Sequence, residues 1–124
     1  MHTNSRFYES NSRIFLNPDN LKTREFTKKL FQLGEEKCVE YLGKDIKNDN
    51  EKYKTCRHNV MAAIDCVARS KANNQLGDLR DNVGDCKHLI ISCEESLNNA
   101  FPNFPIQKLK DDLRDISFST KSFV

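Results

Sequence analysis

The sequence predicts an all-α fold, a small bundle of about four helices around a central antiparallel helical hairpin. Apolar residues recur at helical spacing in four successive segments, and the breaks between these segments are clusters of Asn, Asp, Gly or Pro. Four glycines, three prolines and no tryptophan argue against a sandwich or barrel with many turns. With 37% hydrophobic and 31% charged residues, the 124-residue chain is typical of a single folded domain.

The first helix is predicted to begin at Asn17-Pro18-Asp19, which supplies an N-cap, a proline at the first helical position and an acid in the first turn. It is expected to run to about Ile46, before the break at residues 48–50. Residues 1–16 then form an extended N-terminal arm. The broad apolar stripe of this helix comprises Phe26, Leu30, Phe31, Leu33, Cys38, Leu42 and Ile46.

Two further helices are predicted over residues 51–71 and 79–100, joined by a loop at residues 73–78. Gly84 weakens the first turns of the later helix. Short connections favour antiparallel neighbours, so these two helices form the central hairpin. Their apolar faces comprise Tyr53, Val60, Ile64 and Val67 on the first, and Val83, Cys86, Ile90, Cys93 and Leu97 on the second.

A rigid corner at residues 101–105 ends the hairpin, because its two prolines cannot continue a helix. Pro105 is expected to start a short amphipathic helix. Its apolar residues are Ile106, Leu109, Leu113 and Ile116. The helical domain is thus predicted to span residues 17–117, with a C-terminal tail at residues 118–124.

Charge and hydropathy exclude several classes of function. The net charge is only +2 and the signs are interspersed, whereas nucleic-acid binding requires a basic surface, so no nucleic-acid partner is predicted. No apolar stretch approaches the ~20 residues of a membrane-spanning helix. The opening residues 1–11 contain no apolar segment, so no secretory signal is predicted.

Five cysteines are many for a chain of this length. Cys56 and Cys66 are ten residues apart on one predicted helix, which separates them by about 15 Å along the axis. They cannot bond to each other, because a disulfide needs Cα atoms within ~7 Å. In an antiparallel hairpin, Cys66 comes near Cys86, and Cys56 comes near positions 93–96.

The two hairpin helices also share a local pattern. Residues 56–60 and residues 86–90 both read as cysteine, basic, histidine, any residue, β-branched apolar residue. Together with the Cys-x9-Cys spacing of Cys56 and Cys66, this pattern resembles the coiled-coil-helix–coiled-coil-helix family of the mitochondrial intermembrane space. That family carries twin Cys-x9-Cys motifs. The second motif is degenerate here, because Ser96 stands at its closing position and Cys93 lies one helical turn early.

The resemblance implies an inner bridge Cys66–Cys86 and an outer bridge Cys56–Cys93, which would staple the hairpin. It implies residence in the mitochondrial intermembrane space or in an inner-membrane complex. It also implies a role as an accessory subunit or assembly factor of a respiratory complex. The copper-binding members carry an adjacent cysteine pair before the first motif, and Lys54-Thr55 stand there instead, so copper binding does not carry over.

The residues alone leave two interpretations of the cysteines open. Besides disulfides, reduced core thiols are equally compatible, because cysteine packs as a small hydrophobic residue. A zinc site at Cys56, His58, Cys86 and His88 is disfavoured, because residues i and i+2 on a helix point about 160° apart. No metal and no cofactor are predicted.

No enzymatic activity and no small-molecule substrate are predicted. The adjacent acids at residues 35–36, 94–95 and 111–112 are interpreted as solvated helix surfaces, and no phosphate-binding loop or nucleophile motif is present.

Other protein subunits are therefore the expected partners, with peripheral contact with a membrane complex. The partner-binding candidates are Phe7, Tyr8, Phe15 and Leu16 of the apolar arm, and Phe123 and Val124 of the tail. The two tail residues fit the C-terminal carboxylate motif by which a peptide binds to a PDZ domain as an added strand. The alternative function is a soluble helical regulator that binds and inhibits one protein partner. That alternative allows a cytoplasmic location.

Overall fold

The computed structural model describes residues 21–73 and 82–119, and every regular element in these ranges is helical. Helix α1 spans Leu21–Leu42, α2 spans Asn50–Asn73 and α3 spans Asn82–Asp85. Helix α4 spans Lys87–Ala100, α5 spans Ile106–Phe118, and a 3-10 turn occupies Lys44–Asn48. The all-α bundle predicted from the sequence is confirmed.

Helix α2 is the centre of the bundle and packs against α1, α4 and α5. Its predicted apolar face is buried, with Val60 and Val67 fully inaccessible to solvent. The neighbouring helices contribute equally buried residues to this core. They are Phe26, Leu30 and Cys38 from α1, Ile90, Cys93 and Leu97 from α4, and Leu109 and Leu113 from α5.

The first helix ends four residues earlier than predicted, at Leu42. Gly43 follows with φ of 91°, a conformation that side-chain-bearing residues rarely adopt, and it turns the chain out of the helix. The 3-10 turn then returns Ile46 to the core. Asp49 starts α2, because its Oδ1 accepts a hydrogen bond from the backbone N–H of Lys52 at 3.1 Å.

The third predicted helix divides at Cys86 into α3 and α4. Gly84, exposed in α3, accounts for the weak helix at this point. Hydrogen bonds hold α3 against its neighbours: the buried Asn82 donates its backbone N–H to Ser117 Oγ at 3.2 Å, and Ser70 Oγ donates to Asp85 Oδ2 at 2.8 Å. The predicted residues 79–81 of this helix lie outside the described ranges.

The corner at residues 101–105 ends α4 as predicted, and α5 begins directly after Pro105. Phe101 and Phe104 of the corner are buried, and the rings of Phe104 and Tyr41 form a T-shaped pair with centroids 5.5 Å apart. At the C-terminal end of α5, Lys71 Nζ donates hydrogen bonds to the carbonyls of Ile116 and Ser119. A cation at this position stabilises the C-terminus of a helix. Helix α5 includes Phe118 as its last residue.

Phe31 is the clear exception to the predicted apolar faces, because 45% of its side chain is exposed. Phe31 belongs to the predicted apolar stripe of the first helix, but this stripe is wider than the face of α1 that α2 covers. Within the described ranges, no helix has the length and apolar character needed to span a membrane.

Candidate functional site

The first disulfide joins Cys66 of α2 to Cys86, the residue between α3 and α4, with Cα atoms 6.1 Å apart. This is the inner bridge of the resemblance, and its prediction is confirmed. The bridge connects the C-terminal half of α2 to the N-terminus of α4. It therefore fixes these two helices as the antiparallel hairpin.

The second disulfide joins Cys56 to Cys38 of α1, also with Cα atoms 6.1 Å apart, so the predicted outer bridge Cys56–Cys93 is wrong. The register of the hairpin explains the error. With Cys66 opposite Cys86, an antiparallel pair places Ser96 level with Cys56 and leaves Cys93 one turn away, about 4.5 Å along the axis. Cys38 of α1 lies at the right level on the other side of α2.

Cys93 is consequently the free cysteine, not Cys38, and all five cysteines lie among the described residues. Only 4% of Cys93 is exposed, and burial raises the pKa of its thiol to about 11. The interpretation as a reduced core thiol is thus correct for this cysteine alone. A buried thiol with a raised pKa is a poor nucleophile and a poor metal ligand.

The residues considered for zinc do not converge on one point. Cys56 and Cys86 each form a disulfide, and His58 and His88 are exposed on α2 and α4. Over residues 21–73 and 82–119, no group of three or more His, Cys, Asp or Glu side chains is placed to hold a metal ion.

An arginine–aromatic cluster on the α1–α2 surface comprises Phe31, Glu35, Tyr53 and Arg57. The Arg57 guanidinium lies between two rings, 5.2 Å from the Phe31 centroid and 4.5 Å from the Tyr53 centroid. Its Nη1 lies 3.5 Å from Glu35 Oε2. Such cation–π contacts keep the guanidinium close to the exposed Phe31 ring. The sequence did not reveal this cluster, because its members come from two helices and only packing brings them together.

Next to this cluster runs an α1–α2 groove, open to solvent and mostly apolar. Its lining residues are Phe26, Thr27, Leu30, His58, Met61, Ala62, Asp65 and Arg69. Asp65 is 3% exposed and pairs with Arg69, whose Nε lies 2.9 Å from Oδ1. Burial nevertheless raises the pKa of Asp65 to about 6, because loss of hydration outweighs the arginine's attraction. Nothing in the sequence distinguishes this carboxylate from a solvated acid on a helix surface.

An ion-pair network on the opposite side joins α1 to α5. Asp112 accepts a hydrogen bond from Tyr41 Oη at 2.5 Å and lies 3.2 Å from Lys37 Nζ. Lys108 Nζ lies 3.0 Å from Glu40 Oε2, and this hydrogen bond lowers the pKa of Glu40. Burial and the neighbouring Asp112 carboxylate raise the pKa of Tyr41 far above its ordinary value. This network holds α5 in place, so it is a structural feature of the bundle.

The predicted partner-binding residues Phe7, Tyr8, Phe15, Leu16, Phe123 and Val124 lie outside the described residues. Two disulfides in a helical protein are compatible with the twin Cys-x9-Cys resemblance, although the outer bridge joins a different helix. Comparison of the chain with models of protein families, with curated proteins and with solved structures gives no match to any of them.

Proposed function

We propose that the protein is a non-catalytic accessory subunit that binds other proteins in the mitochondrial intermembrane space, as part of a respiratory complex or of its assembly. The observation that carries this proposal is the pair of disulfides that fastens both ends of α2 to neighbouring helices.

The disulfides favour an oxidising compartment. Four of five cysteines are paired, and in the cytosol glutathione and thioredoxin keep structural thiols reduced. The intermembrane space is favoured among oxidising compartments by the Cys-x9-Cys spacing of Cys56 and Cys66 on α2. The inner bridge Cys66–Cys86 also agrees with the resemblance.

The α1–α2 surface supports a role in binding proteins. Aromatic residues and arginine are enriched at protein interfaces, and Phe31 with Arg57 presents both on one rigid surface. The Cys38–Cys56 bridge joins the two helices that carry them, so the surface is held in one geometry before a partner arrives. A preorganised surface of this kind needs no catalytic group.

The proposal is tested in cells of the organism that makes the protein. Mitochondria are isolated with thiols blocked, and the chain is followed by protease protection before and after rupture of the outer membrane. We expect protection that is lost on rupture, one cysteine per chain that is alkylated after unfolding without reductant, and migration with a large complex on native gels. The variant Phe31→Glu should release the chain from that complex, whereas Glu95→Lys, exposed on α4, should not. A reduced cytosolic monomer would contradict the proposal.

A soluble regulator that inhibits one protein partner is the second candidate. It is favoured by the Cys38–Cys56 bridge, because a bridge from α1 to α2 departs from the twin-motif hairpin and is equally suited to a secreted helical domain. A disulfide-bonded monomer outside mitochondria, which forms a one-to-one complex through the Phe31 surface, would favour this candidate over the accessory subunit.

A further inference from the structure

The two disulfides differ in how far their cysteine residues are exposed to solvent. Both members of the Cys38–Cys56 bridge are 0% exposed. In the other bridge, Cys86 is 3% exposed, but Cys66 is only half-buried. A thiolate in solution therefore has access to one end of the Cys66–Cys86 bridge in the folded protein. Attack on Cys38–Cys56 requires α1 to separate from α2.

The two sulfur atoms of the accessible bridge also differ as leaving groups. Cys86 is the N-cap of the 14-residue helix α4, and its carbonyl accepts the first helical hydrogen bond, from the Ile90 N–H at 2.9 Å. The unpaired N–H groups of a first helical turn stabilise a thiolate and lower its pKa. The cation Lys87 follows directly and acts in the same direction, whereas the Asp85 carboxylate, which accepts a hydrogen bond from Ser70, precedes Cys86 and opposes it. Cys66 lies inside α2, away from a helix N-terminus, and the nearby cation Arg69 is paired with Asp65.

We propose that the Cys66–Cys86 bridge is a thiol–disulfide exchange site for a dithiol partner, attacked at Cys66 and releasing Cys86. The incoming thiolate forms a bond to Cys66 Sγ, the Sγ–Sγ bond breaks, and its electron pair leaves on Cys86 Sγ. The partner's second thiolate then attacks its own sulfur in the mixed disulfide and releases Cys66. The dithiol is oxidised to a disulfide, and its two protons are taken up by the two cysteines.

Exchange at this site changes one end of the bundle and leaves the other intact. The Cys38–Cys56 bridge keeps α1 against α2, while opening of Cys66–Cys86 removes the covalent link from α2 to the start of α4. Helix α3 is then held by noncovalent contacts, among them the hydrogen bonds of Asn82 and Ser70. The site goes beyond the accessory-subunit role and does not depend on it.

The experiment exposes the full chain to dithiothreitol under native conditions, with samples alkylated at intervals and the modified cysteines located by mass spectrometry. It is run on the wild type and on Cys93→Ala, so that exchange with the free thiol is separated from attack by the reductant. We expect Cys66 and Cys86 to be alkylated faster than Cys38 and Cys56, on the order of tenfold or more. Equal rates, or earlier opening of Cys38–Cys56, would overturn the proposal.

Glutathione tests the direction of attack, because a monothiol leaves the mixed disulfide in place. The expected adduct is on Cys66 with Cys86 as the free thiol, and an adduct mainly on Cys86 would overturn the assignment. The variant Lys87→Glu should slow opening by about twofold or more, because the leaving thiolate loses a favourable charge. Lys44→Glu, the same charge change at an exposed position in the 3-10 turn, should leave the rate unchanged. Equal slowing by both variants would mean that overall charge sets the rate, and would contradict the role of the helix terminus.

Discussion

Asp65 is a carboxylate buried in the wall of the α1–α2 groove, where 3% of the residue remains exposed. Its pKa in the folded protein is about 6, against about 3.9 for an unfolded chain. The folded state therefore binds the proton more tightly. The ion pair with Arg69 reduces the cost of the buried charge without removing it.

The Asp65→Asn variant should be more stable than the wild type near pH 7.5, by about 2 kcal/mol in the free energy of unfolding, because it removes the buried charge. The contribution of the protonated acid is complete below the unfolded pKa and is lost as the pH rises through about 6. The difference between the two proteins should thus be small at pH 4 and grow up to pH 7. Urea unfolding at several pH values measures it. A wild type that becomes the more stable protein as the pH rises would show that the Arg69 pair dominates.

Residues such as Asp65 and Arg57 mark what a single sequence could not predict. Both were indistinguishable from solvated charges on a helix surface, because burial depends on which helices pack against that face. The error for Phe31 is the reverse, because this residue was predicted to lie on the apolar face and is exposed. Its spacing fits the apolar stripe of α1, but α2 covers only part of that stripe. Helical periodicity identifies an apolar face, but tertiary packing decides how wide the covered part is.

At the scale of the elements, α1 and α2 approach closely at Gly34. A Cβ atom added at this buried glycine would overlap Met61 Cγ and lie 3.1 Å from Met61 Sδ. The glycine thus accommodates the methionine side chain, although glycine is a poor residue for the interior of a helix.

A double-mutant cycle of Gly34→Ala and Met61→Ala tests this packing. In the wild type the added methyl group meets Met61, whereas in the Met61→Ala background the space is free. Gly34→Ala should therefore be more favourable in that background by about 1 to 3 kcal/mol in the free energy of unfolding. Additive effects of the two substitutions would mean that the helices do not contact here.

The order of the elements and most of their apolar faces followed from periodicity and from breaker residues, whereas the third predicted helix is divided into α3 and α4. Their ends were less accurate for local reasons. The first helix stops at Leu42 because Gly43 takes a positive φ, while apolar periodicity continues to Ile46 through the 3-10 turn. The break at Cys86 coincides with a disulfide, and a covalent constraint leaves no mark on hydrophobic spacing.

For the molecule as a whole, the disulfides connect the central helix to both of its sequence neighbours. The bridge Cys66–Cys86 was implied by the family resemblance; the antiparallel hairpin alone predicted that these residues lie near each other and left reduced thiols open. Cys38–Cys56 was not predicted, because four cysteines allow three pairings and spacing does not say which helix faces Cys56. A resemblance that described only the hairpin assigned Cys56 to the wrong side of α2.

Removal of each cysteine has a distinct expected cost. The Cys38→Ala/Cys56→Ala double variant opens a bridge with a sequence separation of 18, which should lower the free energy of unfolding by about 3 kcal/mol. Cys93→Ala is the matched control, because this cysteine is buried but forms no disulfide. We expect it to lower the free energy of unfolding by about 1 kcal/mol, through lost packing alone. Chemical unfolding without reductant compares them. A loss for Cys93→Ala as large as for the double variant would instead favour the Cys56–Cys93 bridge.

Disulfide mapping of the natively purified, unreduced chain tests most directly whether α2 is covalently fastened at both ends. The protein is alkylated, digested without reduction and analysed by mass spectrometry. We predict linked peptides that join Cys38 to Cys56 and Cys66 to Cys86, with Cys93 alkylated only after unfolding, because it is buried. Five alkylated cysteines, or a linked pair containing Cys93, would contradict this account of the fold and of the compartment proposed from it.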